Sequence, residues 1–201
     1  MINESLQFLA TEINNYLNNK VPSVDINVAR LVVSNISLAA ENLPADTISP
    51  EMKGKAVLSL VNVEEDRISK QQENYIKSDS KTIYKNPPVY INLYVLFAMN
   101  RKSYDESLSI LGFIIQFFQQ QHVFTPSTHP ALDNRIQQLV VDLYSLSFEQ
   151  SNHLWSILGG KYMPCVMYKI RQLTVDENKV ISQSGFIKEI QLNDKLKQPL
   201  S

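Results

Sequence analysis

Three histidines and one cysteine are the side chains best suited to acid–base or nucleophilic chemistry near neutral pH. His122, His129 and His153 lie far apart and lack the close spacing that metal ligands on a shared element show. A Cys–His pair would need an activated thiol and a third, orienting group. Cys165 opens an apolar run, which predicts burial instead. The lone cysteine excludes an intramolecular disulfide and a multi-cysteine zinc site. Gly159-Gly160-Lys161 lacks the earlier glycine and the following Ser or Thr of a phosphate loop. It also falls at a helix C-terminus, the wrong dipole end for phosphate. Glu64, Glu65 and Asp66 are adjacent, read as part of a solvated loop, and neighbouring carboxylates there point apart. His122 at a helix end suits the dipole without further role. His129 before Pro130 reads as a turn residue, and His153 as solvent-facing or structural. No catalytic, cofactor-binding or metal-ligating set is expected from these residues.

Several elements are legible around them. Ile2, Leu6, Leu9, Ile13 and Leu17 recur at helical spacing and predict an amphipathic helix. The β-branched residues of 28–36 and the Val/Leu-rich run 56–63 predict strands, separated by a loop over 37–55. Residues 64–86 are polar, and only Ile68, Tyr75, Ile76, Ile83 and Tyr84 are large and apolar, so a mobile loop is expected. Over residues 89–98 both alternating faces are apolar or aromatic, which predicts a central strand covered on both sides. Ser103-Tyr-Asp-Glu106 reads as a capping box opening a long helix to about Gln121. Tyr104, Leu108, Leu111, Ile115 and Phe118 form its main stripe, widened by Ile110, Ile114 and Phe117. Residues 136–148 predict another long strand. Ser147 to Gln150 form a second box opening a short helix with Leu154, Trp155 and Leu158, closed by Gly159-Gly160. Trp155 suits either core packing or an interface anchor. Residues 165–175 alternate as a strand with one wet face, and a polar tail follows from Asp176. The pattern predicts a single α/β or α+β domain over residues 1–175 with a C-terminal tail over 176–201.

Composition narrows the partners. The chain has 201 residues, 44% of them hydrophobic, enough for a sizeable core. Lys and Arg number 19 against 20 Asp and Glu, and the most basic window, 67–85, still holds two acids. That argues against nucleic acid as the main partner. Charge is sparse at 19%, while 17 Asn and 14 Gln supply polarity, a surface compatible with protein contacts. No apolar run approaches the roughly 20 residues of a spanning helix. The start, MINESLQFLATEINNYL, does not read as a signal peptide, so synthesis and folding in the cytoplasm are expected.

The run LWSILGGKYMPCVMYKIRQLTVDE (154–177) resembles the tail-terminator, or cap, family of contractile injection systems. These are the phage-tail-like particles of the antifeeding prophage and Photorhabdus virulence cassette type. KGKAVLSLVNVEEDR (53–67), NPPVYINLYVLFAMN (86–100), SYDESLSILGFIIQFFQQQHVFTP (103–126) and LYSLSFEQSNHLWSILGGKY (143–162) support the resemblance in matching order. It implies a mixed, mostly antiparallel sheet flanked by helices. It implies a structural, non-enzymatic role without cofactor or metal: a homo-hexameric ring closing the distal end of tube and sheath. Sheath and inner-tube proteins would be the partners, with neither nucleic acid nor direct membrane insertion, in a particle released or anchored at a membrane. Readings from other classes are an interaction adaptor, such as an effector-loading chaperone or immunity protein, and an enzyme whose site is not visible in sequence.

Assembly contacts are expected toward the C-terminus. Lys169 and Arg171 stand on the wet face of the 165–175 strand, where they would meet an acidic or carbonyl-rich partner. Phe186, Ile187 and Ile190 are apolar residues of the tail, too sparse to fold alone. They would add to a neighbouring sheet by main-chain hydrogen bonds, or dock locally.

Overall fold

The computed structural model describes residues 1–20, 30–39, 52, 54–66, 75–78, 81–85, 88–159, 162–175 and 180–185. They form two compact units, one of residues 1–69 and 89–175, the other of residues 70–88 and 176–201.

The larger unit is built on a six-stranded sheet of order β1-β2-β5-β8-β7-β6. Its strands are β1 (Leu31–Val33), β2 (Lys55–Glu65), β5 (Val89–Asn100), β6 (Val123–Phe124), β7 (Leu139–Tyr144) and β8 (Cys165–Val175). β1 runs parallel to β2, and every other pairing is antiparallel. β5 is central, as its two apolar faces require. Leu93, Val95, Phe97 and Met99 point into one core, Leu96 and Ala98 into the other.

Helices α1 (Ile2–Lys20) and α2 (Tyr104–Gln120) cover the first face. α1 buries Leu6, Leu9, Ile13 and Leu17, the expected stripe. α2 departs from expectation. Ile110, Ile114, Phe117 and Phe118 are buried, whereas Tyr104, Leu108 and Ile115 are exposed. The apolar arc of this helix is wider than one sheet face can cover, so spacing alone did not choose between its two stripes. Ser107 sits within the buried stripe, and its hydroxyl donates to the Ser103 carbonyl at 2.8 Å. The first capping box is only half formed. Ser103 Oγ accepts from the Glu106 amide, but the Glu106 carboxylate binds Arg101 at 2.7 Å instead of reaching back.

The second face is covered by the 3₁₀ turn Ile36–Ala39 and by α3 (Phe148–Ile157). Trp155 of α3 packs with Ile36, Met52, Val57, Leu96, Ala98 and Met167, so its core reading holds. The Ser147–Gln150 capping box is complete in both directions, and Gly159 takes φ +65° just beyond the helix. That left-handed conformation costs glycine little. Gly160 and Lys161 lie outside the described residues. The strand expected over 136–148 shortens to Leu139–Tyr144, because Ser147 is taken as a helix cap. The strand expected over 28–36 shortens to Leu31–Val33, and residues 36–39 turn into 3₁₀ geometry.

The smaller unit is a three-stranded antiparallel sheet, β3 (Tyr75–Ser78), β4 (Lys81–Lys85) and β9 (Val180–Gly185), in the order β3-β4-β9. The segment expected to be a loop thus holds two paired strands, and part of the expected tail is the third. The near-palindrome YIKSDSKTIY explains the first pairing, since register sets Tyr75 opposite Tyr84 and Ile76 opposite Ile83. β9 has few large side chains, and its pairing with β4 rests on main-chain hydrogen bonds that composition does not signal.

Candidate assembly interface

Two exposed surfaces of the larger unit are built for contact. The first is the half of the second sheet face that α3 leaves uncovered. Register sets Asn62, Tyr94, Lys169 and Asp142 side by side across β2, β5, β8 and β7. Lys169 Nζ donates to Glu64 Oε2 at 2.9 Å and lies 5.1 Å above the Tyr94 ring. The Tyr94 hydroxyl donates to the same carboxylate at 2.7 Å. Arg171 Nε donates to Asp142 Oδ2 at 2.6 Å. Tyr94 and Tyr144 meet edge to face at 5.0 Å.

The two cations named from sequence are therefore on the wet face, but each already has an acidic partner within its own sheet. A partner docking here meets an ordered, charge-balanced lattice instead of free positive charge. Phe186, Ile187 and Ile190 lie outside the described residues.

The lattice has a titration signature. The hydrogen bond from Tyr94, then that from Lys169, holds the Glu64 carboxyl below its ordinary range. Replacing Tyr94 with Phe is expected to move the Glu64 titration upward, toward an ordinary glutamate, as followed by carboxyl carbon chemical shift. A folded pKa below the unfolded one contributes stability that is complete at neutral pH. It is lost as pH falls below about 4.5 through the depressed value. An unchanged Glu64 midpoint in Tyr94→Phe would refute the bond.

The second surface is an apolar groove of about 1210 Å³ where β7 and β8 meet the start of α3. Leu143, Leu146, Phe148, Trp155, Tyr162 and Met167 line it. Phe148 is 95% exposed and Leu143 is 55% exposed. Trp155 is buried, and its indole interacts with the Cys165 thiol. Sequence reasoning missed this groove by assigning Phe148 to a strand face. The signal was present in the second capping box, which makes Phe148 the first residue of a helix and leaves its ring beyond the covered turns.

The residues first weighed for catalysis do not converge. Cys165 is half-buried, and burial pushes its thiol pKa up, against the activation a nucleophile needs. His129 packs edge-on against Phe124 at 5.0 Å and Phe8 at 5.9 Å. His153 is exposed on α3, and the His122 carbonyl accepts from the Val141 amide at 2.8 Å. Glu64 and Glu65 end strand β2 instead of lying in a loop. No group of three or more His, Cys, Asp or Glu able to hold a metal occurs among the described residues, nor does a helix long and apolar enough to cross a membrane.

A mixed, mostly antiparallel sheet with two helices on one face and a capped short helix on the other is a terminator-like fold. Residues 6–189 match the Pvc16 N-terminal domain family, and the chain belongs to it. Among solved structures it is similar to the sheath/tube terminator of the extracellular contractile injection system PVC in its extended state. That likeness has a TM-score of 0.54 at 11% identity, covering 96% of this chain and 65% of that one. A looser likeness, TM-score 0.47 at 12% identity, is to the tube-terminating cap of the anti-feeding prophage, covering 94% of this chain and 61% of that one. The chain thus spans about two-thirds of the length of each. No curated protein matches the sequence.

Proposed function

We propose that this chain is a structural terminator, a ring of six copies that closes the distal end of the tube and sheath of a contractile injection particle. The observation that supports it is family membership over residues 6–189 on a terminator-like fold. A half-buried thiol with a raised pKa and histidines engaged in packing or exposed singly fit a non-enzymatic role. Exposed charges that are already paired, beside an exposed apolar groove, fit a surface made for protein contacts. In a ring each copy presents two different patches, one to each neighbour, which two distinct surfaces on one subunit can supply.

The test is deletion of the chain from a particle-producing system, with complementation by a tagged copy. Deletion is expected to give tubes and sheaths of uncontrolled length with no cap density at the distal end. The tagged copy should restore length and appear there in six-fold density. Particles of normal length that end in an intact cap without the chain would overturn the reading. So would a chain that co-purifies with a free effector and never with particles, as an adaptor would.

A further inference from the structure

The two ends of the large sheet are treated differently. At β1 the Asn14 side chain of α1 acts as a substitute strand. Its Nδ2 donates to the Leu31 carbonyl at 2.8 Å, and its Oδ1 accepts from the Leu31 and Arg30 amides at 2.9 and 2.8 Å. Those bonds occupy the outward-facing groups of Leu31. At the other end β6 pairs only with Leu139 and Val140, and the last bond on that side runs from the Val141 amide to the His122 carbonyl. No strand among the described residues pairs with the outer side of residues 142–144. Alternation along a strand turns the Leu143 amide and carbonyl the same way as those of Val141, outward. The open stretch is flanked by exposed Leu143, Phe148 and Ile115 and opens into the groove lined by Trp155. An unprotected edge with an apolar rim is a template for another strand.

The chain's own sequence offers a segment of strand-like alternation. The residues after Gly185 run FIKEIQLNDKLKQPLS. From 186 to 196 the even positions are Phe186, Lys188, Ile190, Leu192, Asp194 and Leu196, while the odd ones are polar except for Ile187. Four of the six even positions are apolar, with Lys188 and Asp194 on the same side, a period-two alternation compatible with strand pairing. The segment's 16 residues begin where β9 ends and reach about 50 Å when extended. We propose that residues 186–196 of one copy add as a strand to the open β7 edge of the next copy in the ring, seating apolar side chains in the Phe148–Trp155 groove. This inference rests on the ring reading above and supplies its heterologous contact.

The test places the photoreactive residue p-benzoyl-phenylalanine at position 148 of the full chain, where 95% exposure makes the change harmless to folding. Particles are capped by a mixture of isotopically light and heavy copies, irradiated and digested. Crosslinked peptides joining position 148 to residues 186–196 with mixed isotopes are expected. Introducing Ile190→Asp with Leu192→Asp should reduce that crosslink by about tenfold or more, as charges replace buried aliphatics. Crosslinks of one isotope only, crosslinks to sheath or tube segments, or crosslinks to any other part of the chain would overturn the proposal while leaving a capped particle explained. Absence of the chain from particles would overturn the ring reading and this inference together.

Discussion

Replacing Phe97 with alanine is expected to lower the free energy of unfolding by about 3–5 kcal/mol. Phe97 lies at the middle of the central strand and is fully buried. Its ring meets Phe118 of α2 at 5.7 Å and Tyr168 of β8 at 5.7 Å. Those rings in turn contact each other at 4.5 Å, so truncation leaves a hole with rigid aromatic walls that cannot easily collapse. Burial raises the Tyr168 pKa to about 12, which places this cluster well away from water. Equilibrium urea denaturation is the measurement, with a lower midpoint at unchanged slope as the expected form. Phe148→Ala is the control. It removes the same ring from an exposed site and should change stability by no more than about 0.5 kcal/mol. A Phe97→Ala loss below about 1 kcal/mol would contradict the packing described.

The second large effect is expected from Asn14→Ala, a residue on a helix surface that no propensity argument would single out. Its amide makes three main-chain hydrogen bonds to Arg30 and Leu31. Leu31 is 1% exposed, so its amide and carbonyl cannot turn to water once the amide is gone. Leaving buried polar groups unsatisfied costs about 1–3 kcal/mol each, and the expected destabilisation is about 2–4 kcal/mol. Asn14→Asp separates the two halves of the clamp. The carboxylate still accepts from both amides but cannot donate to the Leu31 carbonyl, so it should fall between wild type and alanine. Hydrogen exchange at the Leu31 amide provides a local readout, with large loss of protection in Asn14→Ala. Unaltered protection there would show that the edge is held by something else. Freeing Leu31 should also raise self-association, because β1 would then offer a longer run of unpaired main chain.

Local signals were read correctly where one interaction decides the outcome. The stripe of α1, the complete capping box at Ser147, the two-faced apolar pattern of β5 and the span of β8 all follow from nearest neighbours along the chain. So did the core role of Trp155, whereas Cys165 is only half-buried. Ordered motifs along the chain pointed to the terminator family, which the match over residues 6–189 bears out.

What the sequence left open depends on which surfaces meet. α2 carries two apolar stripes, and only the presence of the sheet selected Ile110, Ile114 and Phe117 for burial. Glu106 had two available partners, and Arg101 outcompeted the cap amide. Lys169 and Arg171 were recognised as exposed cations, but their neutralisation by Glu64 and Asp142 spans separations of 105 and 29 residues. Register across four strands decides it, and register is a property of the assembled sheet. The hairpin of β3 and β4 was missed because its segment is polar, and β9 because it pairs with β4 about a hundred positions away through backbone groups that every sequence possesses. That the Asn14 side chain covers Leu31 while no described strand covers the outer side of residues 142–144 has the same origin. A single chain specifies its strands by side-chain pattern, but only the folded sheet decides which strand is left at the end without a neighbour.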